Sequence, residues 1–366
     1  MRGRSQGRRC RAASGRAAPV QISGQEKEME KKAIIATELL KGQGLGNQLF
    51  CYVTTRALAH AKGYDFGILN RDLLDCMYFM DIDCGADMEK DSFKHIYHEK
   101  EDRIFLGNSA HDIEHGCYIT GVDNRLLSLD QTTLLYGNMQ DESYFGQYKK
   151  EIKDWLRVKP EYDCMDYSRE NLCIINIRGG EYAGSPELFL RRRYWLDAIK
   201  IMRQKRADME FMIITDDLSA AGRILPEVRA YHFDLAGDYT VIKNARYLIL
   251  SNSTFAFFPA FTSETVQYII APKYWARHNV SDGYWASEQN IYSDFVYLDR
   301  RGRLFTAGEC RAELERYRKT SKYYKNIGQK LAGAALTRAR VRGKWLIYKD
   351  LSVRAVRSIK RRLTKS

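Results

Sequence analysis

Long apolar runs and low-complexity stretches are both missing from this 366-residue sequence. No window reaches the roughly 18 consecutive apolar residues that a membrane-spanning helix needs. The nearest stretch, residues 247–261, is interrupted by the polar residues Ser251, Asn252, Ser253 and Thr254. The six prolines and 26 glycines are too few for a low-complexity chain, and 45% hydrophobic residues are enough for a large core. These features predict a globular protein without a membrane span.

Closely spaced metal-ligand pairs are also missing. The eight cysteines include no C-x-x-C pair, and the seven histidines do not cluster with them. A zinc site is therefore not expected, and the cysteines that lie in apolar runs are predicted to be buried free thiols in a reducing cytosol. His95, His98, His111 and His115 share one stretch without a firm helical pattern. This favours a solvated surface over a metal site.

Positive charge is concentrated at the two ends of the chain. Residues 1–32 carry nine Lys/Arg and three Glu, and residues 316–366 carry seventeen Lys/Arg and one Asp. The whole chain has a net charge of +13, so the body has 13 − 6 − 16 = −9. A basic total therefore does not indicate a nucleic-acid-binding fold.

The first 32 residues are predicted to be a disordered basic segment. They contain no apolar core of a secretory signal. Two alternatives stay open: an organellar transit peptide, which the three glutamates oppose, or a translation start at Met29. The folded chain is predicted to begin at Ala33.

The pattern of residues 33–160 predicts a first α/β domain that ends in a linker at Lys159–Pro160. The stretch 70–129 shows no clear period and is interpreted as irregular, as an insertion on the acceptor side. The regular elements are a strand over 33–40, a glycine-rich turn over 42–48, a helix to about 62, a strand over 64–69, and a strand from 134 that leads into a helix to about 158.

From residue 161 the alternation of strands and helices is cleaner, which predicts a parallel sheet covered by helices on both faces. Strands are predicted over 172–178, 210–215, 246–250 and 266–271, and helices over 193–205, 218–225, 239–245 and from 255. Because the carboxyl ends of parallel strands lie at one edge, Arg178, Asp216 and Ser253–Thr254 are predicted to converge on one crevice.

The central stretch is residues 172–182, which read L-C-I-I-N-I-R-G-G-E-Y. A buried strand here ends by presenting Asn176, Arg178, two glycines and Glu181. Arginine matches a phosphate bidentately, and paired glycines allow a ligand to approach the backbone. An ordinary strand exit with a surface Arg–Glu pair is the alternative.

Two further motifs are weaker. The turn containing Gly44, Gly46 and Asn47 places backbone N–H groups at a helix N-terminus, which favours an anion, although a tight turn without a ligand is equally compatible. Its spacing is neither the dinucleotide-binding nor the Walker pattern. Asp81 and Asp83 form a D-x-D pair in a loop-like stretch, and we interpret the pair as incidental.

Five blocks in order resemble glycosyltransferase family 11, whose best-known members are α-1,2-fucosyltransferases that use GDP-fucose. Each block is weak alone, and together they span about residues 42–275. Residues 44–50 match G-x-G-N-Q-[LM]-F, 137–145 match G-[YF]-[WF]-Q-x-x-x-Y-F, 215–217 match S-[DN]-D, 251–258 resemble S-N-S-[ST]-F-S-W-W, and 271–275 resemble A-P-x-x-W.

The sequence departs from the family at its centre. The family's H-x-R-R-x-D appears here as N-I-R-G-G-E over residues 176–181. The first arginine is retained as Arg178, while Asn176 replaces the histidine, Gly179 the second arginine and Glu181 the aspartate. This weakens the assignment of fucose and argues against an imidazole base at position 176.

The resemblance implies a GT-B-like α/β fold, with two Rossmann-like domains facing a donor cleft and basic tails. The implied domains are 33–160 on the acceptor side and 161–310 for the nucleotide sugar, followed by a basic helical tail over 311–366. It further implies inverting transfer, without a metal or other cofactor, from GDP-fucose or another nucleotide sugar to a glycan hydroxyl such as the 2-OH of galactose. The protein would serve polysaccharide biosynthesis.

The site residues are likewise implied by the resemblance. Arg178 would stabilise the leaving diphosphate, with Glu181 orienting it or bonding the donor, and Asp216 would contact the nucleoside. The remaining donor-binding candidates are Gly44, Gly46, Asn47, Gln48, Asn176, Ser253, Thr254 and Phe255. For Ser253 and Thr254 a helix N-cap is an equally good interpretation.

A different class of function stays open, because the altered centre is also compatible with a non-catalytic binding protein that has lost its chemistry. The basic C-terminal tail is relevant both to a transferase and to a non-catalytic binding protein. Trp345, Tyr348, Val356, Ile359 and Leu363 lie near helical spacing among basic residues. This predicts peripheral binding to the inner face of an anionic membrane that holds a lipid-linked acceptor, with no specific nucleic-acid partner; a solvated or RNA-binding tail is the alternative.

Overall fold

The computed structural model describes residues 32–107, 110–119, 121–185, 188–273 and 290–345, together with residues 348 and 352. Nearly all of the predicted disordered segment 1–32 lies outside these residues. So do Tyr274 and Trp275 of the last family block, and the tail residues Val356, Ile359 and Leu363.

Residues 34–136 form a parallel sheet of four strands within the described part of the chain, in the order β2-β1-β6-β3. Strands β4 and β5 form a separate antiparallel pair. The elements of this half are β1 (Ile34–Glu38), α1 (Leu45–Lys62), β2 (Asp65–Leu69), β3 (Ile96–His98), β4 (Asp102–Ile104), α2 (Ala110–His115), β5 (Cys117–Ile119), α3 (Asn124–Leu127), β6 (Thr133–Tyr136) and α4 (Lys149–Trp155).

Residues 172–306 form a second sheet, which has seven described strands in the order β13-β12-β11-β10-β7-β8-β9. All of its pairings are parallel except that of β12 with β13. Its elements are β7 (Leu172–Ile177), α5 (Arg192–Lys205), β8 (Glu210–Thr215), α6 (Leu218–Ile224), β9 (Ala230–Tyr231), α7 (Leu235–Lys243), β10 (Tyr247–Ile249), α8 (Phe257–Thr262), β11 (Tyr268–Pro272), β12 (Val296–Leu298), β13 (Leu304–Thr306), α9 (Ala307–Thr320) and α10 (Lys322–Lys325), and residues 333–345 form a further helix.

The predicted α/β class, with two parallel sheets and their helices, is confirmed. The interpretation of 70–129 as irregular is wrong in part, because β3 joins the first sheet from within this stretch and β4 and β5 pair with each other there. The predicted helix to about 158 is also too long, since α4 begins only at Lys149. Before it, Met139 adopts a positive φ of 48°, and the Asp141 carboxylate accepts the N–H of Ser143 to start a 3₁₀ turn.

The two sheets share one hydrophobic core, which lies between α1 of the first half and the α7–α8 face of the second. Phe50 on α1 is fully buried, and its ring centroid lies 4.9 Å from that of Phe257 and 4.8 Å from that of Phe258 on α8. Phe145 lies 6.0 Å from Phe50 and joins the same cluster. Residues of the glycine-rich motif and of the 251–258 block are therefore packed against each other.

Gly46, in the first turn of α1, packs directly against the backbone of the second half. A Cβ at this position would lie 2.5 Å from the carbonyl carbon of Thr254 and 2.5 Å from the backbone nitrogen of Phe255. No real Cβ makes such contacts with backbone atoms, so a glycine is required for the two halves to pack at this distance. The motif glycine thus serves the contact between the sheets.

We expect Gly46→Ala to lower the free energy of unfolding by about 1–3 kcal/mol, the usual cost of overpacking a core. Urea unfolding at equilibrium would measure it. Gly222→Ala is the matched control, because a Cβ there meets no atom within 4 Å and α6 is helical. The control should be stabilised by about 0.5–1 kcal/mol. Equal effects of the two substitutions would contradict this account of Gly46.

Candidate functional site

The candidate site lies where the order of strands in the second sheet reverses. After β7, the chain adds β8 and β9 on one side and then crosses to add β10 on the other. In open α/β sheets, ligands bind outside the carboxyl ends of the strands at such a switch point. Arg178 follows β7 directly, and Ser251–Thr254 follow β10, so both segments border this crevice.

Arg178 is held by the end of the neighbouring strand β8. Its Nη1 lies 2.7 Å from Oδ2 of Asp216, its Nη2 lies 3.4 Å from Oε1 of Glu181, and its guanidinium carbon lies 5.8 Å from the centre of the Tyr182 ring. Burial raises the pKa of Tyr182 to about 12, so this ring is neutral at physiological pH. The Arg178 side chain keeps 35% of its surface exposed, which leaves donors available to a ligand.

The two glycines after Arg178 accommodate the end of β8. The N–H of Gly179 donates to Oδ1 of Asp216 at 2.7 Å. A Cβ on Gly179 would lie 2.4 Å from the Cβ of Asp217, and one on Gly180, whose φ is +28°, would lie 2.7 Å from Oδ2 of Asp216. Asp217 is also the N-cap of α6. The glycine pair therefore permits the Asp216–Asp217 turn to approach, a role that the sequence did not indicate.

Asn176 is buried in β7, where it links the two strands that border the switch point. Its Oδ1 accepts the Ser251 hydroxyl at 3.2 Å, and its Nδ2 lies 3.4 Å from the carbonyl oxygen of Ile214. Only 5% of Asn176 is exposed. This places Asn176 beneath the crevice, so it holds the strand ends in position and is not exposed to a ligand.

The residues of the glycine-rich motif in the first half each make different contacts. The amide of Gln140 donates to Oδ1 of Asn47 at 3.1 Å, which joins two of the family blocks. Gln48 is buried, and its side-chain amide bonds to backbone groups of residues 43, 73 and 75. A Cβ on Gly44, the N-cap of α1, would meet no atom within 4 Å. Of these residues, Gly44 has open space beside it.

Ser253, Thr254 and Phe255 form the loop that contacts Gly46. The N–H of Phe255 lies 3.4 Å from the Ser253 hydroxyl, and the Phe255 ring meets that of Tyr239 edge-on at 6.4 Å. The N-cap of α8 is Ala256, without a side-chain hydrogen bond. The alternative that Ser253 or Thr254 caps this helix is therefore wrong.

A second cleft lies at the switch point of the first sheet, between β1 and β6. It has a volume of about 730 Å³. Gln43 of the glycine-rich turn lines one wall of this cleft. Gly46, three residues later, contacts the second half of the chain. Other residues that line the cleft are Thr37, Glu38, Cys51, His98, Glu99, Lys100, Glu101, Tyr136, Gly137 and Asn138.

Two carboxylates of this cleft hold its walls together. Glu38 accepts hydrogen bonds from Lys90 and Tyr136, and these partners lower the pKa of Glu38. Glu99 is buried, which raises its pKa, and it accepts the N–H of Met139 at 2.8 Å and the Tyr144 hydroxyl at 3.1 Å. His98 and Glu101 are exposed at the rim, and the His98 ring stacks on Tyr136 with centroids 5.0 Å apart.

The remaining motifs build no site among the described residues. Asp83 accepts the N–H of Gly85 at 2.9 Å and lies 3.5 Å from Arg56, as in an ordinary turn, and no group of three metal-binding side chains is found in this part of the chain. Six cysteines, Cys51, Cys76, Cys84, Cys164, Cys173 and Cys310, are free, and all of these except Cys164 are buried, as predicted. None of the described helices is long and apolar enough to cross a membrane.

No protein-family model matches this sequence. A stretch of 158 residues is 23% identical to an α-1,2-colitosyltransferase of Escherichia coli, covering 38% of this chain and 54% of that protein. The chain therefore matches about half of the length of this curated relative.

Three chains among solved structures are similar to this chain. POFUT1 in complex with GDP-fucose is 9% identical, with a TM-score of 0.36 over 66% of this chain and 98% of that one. A FUT1 mutant of Arabidopsis thaliana in complex with GDP is 10% identical, with a TM-score of 0.39 over 76% and 79%. A family 9 glycosyl transferase from Veillonella parvula is 13% identical, with a TM-score of 0.39 over 81% and 91%.

The position of Arg178 gives a direct test of the site. We expect Arg178→Ala to lower the rate of sugar transfer or donor hydrolysis by about 10²–10³-fold, the scale of losing one charge-stabilising donor, with a smaller loss of donor affinity. Arg178→Lys should recover little of the rate, because an ammonium lacks the bidentate fork. Steady-state kinetics with GDP-fucose would measure both parameters.

Arg169→Ala is the matched control for this experiment. Arg169 lies before the opposite end of β7 and pairs with Glu210 of β8 at 2.8 Å, as Arg178 pairs with Asp216 at the carboxyl end. The control should keep wild-type turnover. A folded Arg178→Ala protein with turnover like that of the control would overturn the assignment of the site.

Proposed function

We propose that this chain is an inverting glycosyltransferase that transfers fucose from GDP-fucose to a hydroxyl of a glycan acceptor without a metal ion. The observation that carries the proposal is the exposed guanidinium of Arg178, fixed by Asp216 at the switch point of the second sheet. The ordered family blocks and the stretch similar to an α-1,2-colitosyltransferase support the same class of reaction.

In this mechanism the acceptor oxygen attacks the anomeric carbon of the sugar while the bond from that carbon to the diphosphate oxygen breaks. Negative charge grows on the departing phosphate, so a fixed cation beside it stabilises the transition state more than the bound donor. Arg178 has this role in the proposal. Asp216 keeps Nη1 of Arg178 in place, and the remaining N–H groups of the guanidinium are available to the phosphate oxygens.

The donor would lie across the carboxyl ends of β7, β8 and β10. Ser253 and Thr254 are partly exposed and offer hydroxyl groups to the phosphates. Glu181 is the more exposed partner of Arg178, at 74%, and could bond the sugar after giving up its 3.4 Å contact. Asp216 already accepts hydrogen bonds from Arg178 and from the N–H of Gly179. We therefore assign it the role of positioning Arg178, in preference to a contact with the nucleoside.

The acceptor would occupy the 730 Å³ cleft of the first sheet. A groove lined by carboxylates and a stacked His98–Tyr136 pair suits a polyhydroxylated ligand. Its hydroxyl groups would donate to the carboxylates, and its sugar rings would pack on the two aromatic rings. His98 is exposed and able to take the acceptor's proton, and Glu101 could do so after giving up its 2.8 Å ion pair with Arg103. Glu38 and Glu99 are already engaged in bonds to the cleft walls.

A second candidate donor is nucleotide-activated colitose, which the name of the similar Escherichia coli protein favours. The changed residues Asn176, Gly179 and Glu181 are where this chain departs from the fucosyltransferase motif. A parallel comparison of both donors in the transfer assay would decide between them. A binding protein without chemistry is the other alternative, and it would bind the donor and release no free sugar during prolonged incubation.

The donor base can be tested without knowing the acceptor. We expect GDP to raise the melting temperature more than UDP or CDP at equal concentration, because a ligand that binds only the native state stabilises it by about 2.7 kcal/mol at 100 times its Kd. A thermal-shift screen would measure this, with guanosine as the control that lacks phosphates. Equal shifts with all three diphosphates would refute the choice of GDP.

We also expect donor hydrolysis and transfer to persist in EDTA, because positive dipoles and Arg178 replace the metal in this mechanism. The measurement compares rates in EDTA with rates after adding back Mg²⁺ or Mn²⁺. A strict requirement for either ion would contradict the proposal and direct attention to Asp81 and Asp83.

A further inference from the structure

The helix over residues 333–345 lies against the β4 end of the first half through one narrow face. Ala339 is 8% exposed, and a Cβ on Gly107 would lie 2.7 Å from the Ala339 Cβ and 3.0 Å from Cδ1 of Leu331. Leu336 and Gly343, three residues before and four after Ala339, are partly buried. Because residues at this spacing share a helix face, the side that contacts the protein is defined.

The opposite side of this helix carries large apolar side chains. Val341 is 63% exposed, Trp345 is 59% exposed, and Tyr348 is 72% exposed. Their spacing of four and then three residues places them in one stripe, turned by about 180–240° from Ala339 at 100° per residue. Exposed apolar side chains arranged in a stripe and rimmed by polar groups indicate an interaction surface.

The charged residues of this helix and of the segment that precedes it are all basic. Residues 326–345 contain no acidic residue and five basic ones, Lys330, Arg338, Arg340, Arg342 and Lys344. All five are exposed, and among the described residues none of them forms an ion pair. The partner that fits this surface is therefore negatively charged and able to accept apolar groups.

A groove beside the helix also combines apolar and basic residues. It has a volume of about 510 Å³. Its apolar lining includes Ile104, Leu106 and Leu331, and its basic residues are Lys330, Arg338 and Arg342. A phosphate headgroup at the basic residues would have its apolar chain directed along this lining. The groove and the exposed stripe therefore select for one kind of partner.

We propose that this face, formed by the helix over 333–345 and the adjoining groove, binds the surface of an anionic lipid bilayer. Tryptophan and tyrosine lie at the level of lipid headgroups, and basic residues attract the anionic surface. RNA would satisfy the charges and stack bases on the two aromatic rings, but it offers no apolar environment for Val341 and the apolar lining of the groove. The proposal is independent of the transferase assignment.

Co-sedimentation with vesicles tests the proposal on the full chain. Wild type should bind vesicles of 30% phosphatidylglycerol in phosphatidylcholine at low salt and should bind pure phosphatidylcholine much more weakly. Arg338→Gln together with Arg342→Gln should lower the partition coefficient roughly 25-fold, about fivefold for each charge near the surface. Val341→Ser together with Tyr348→Ser should also lower it, at least tenfold by the loss of buried apolar area.

Two control variants separate this face from the other basic parts of the chain. Arg193→Gln with Arg223→Gln removes two exposed charges from α5 and α6, and Leu218→Ser removes an apolar side chain that is 52% exposed. Both controls should bind like wild type. The proposal is overturned if the four groups of variants bind anionic vesicles equally, if wild type does not bind them, or if the 338/342 and 341/348 variants lose only binding to RNA.

Discussion

The backbone contact between Gly46 and residues 254–255 determines how the two halves of this protein can be arranged. An α-helix that begins at the carboxyl edge of one sheet is packed directly on the loop that leaves the carboxyl edge of the other. The aromatic cluster around Phe50 and Phe257 continues this contact into the core. Both switch points are consequently brought to the same side of the molecule, as the proposed transfer from a donor to an acceptor requires.

The chemistry of the site depends on a second constraint, the pairing of Arg178 with Asp216. A guanidinium at a strand end has several rotamers, and an exposed one would have to be ordered when the ligand binds. Here one oxygen of the Asp216 carboxylate binds Nη1 of Arg178, and the other oxygen accepts the N–H of Gly179. The orientation of the Arg178 guanidinium is therefore fixed by two strands of one sheet. Preorganised donors of this kind stabilise developing charge without having to reorganise.

Much of this fold could be predicted from the sequence, because the strands of the second sheet are short apolar runs bounded by turn residues. Strand β8 has the predicted bounds, and α5 begins one residue earlier than predicted. Strand β3 was missed since it has only three residues and its first, Ile96, is 45% exposed. The convergence of residues at the strand ends was predictable from topology. The contacts of Gly46 and Gly179 were not, because they are made with residues 208 and 38 positions away along the chain.

The contact at Gly179 bears on the motif of glycosyltransferase family 11 that residues 176–181 resemble. Position 179 corresponds to the family's second arginine, and here any Cβ would lie 2.4 Å from that of Asp217 and 3.1 Å from that of Ala220. An arginine could be accommodated only if α6 and its N-cap moved away from β7. In this chain, an arginine at position 179 and the present position of α6 therefore exclude each other. Since Asn176 is buried under the crevice and uncharged, the charge stabilisation that remains in this motif depends on Arg178.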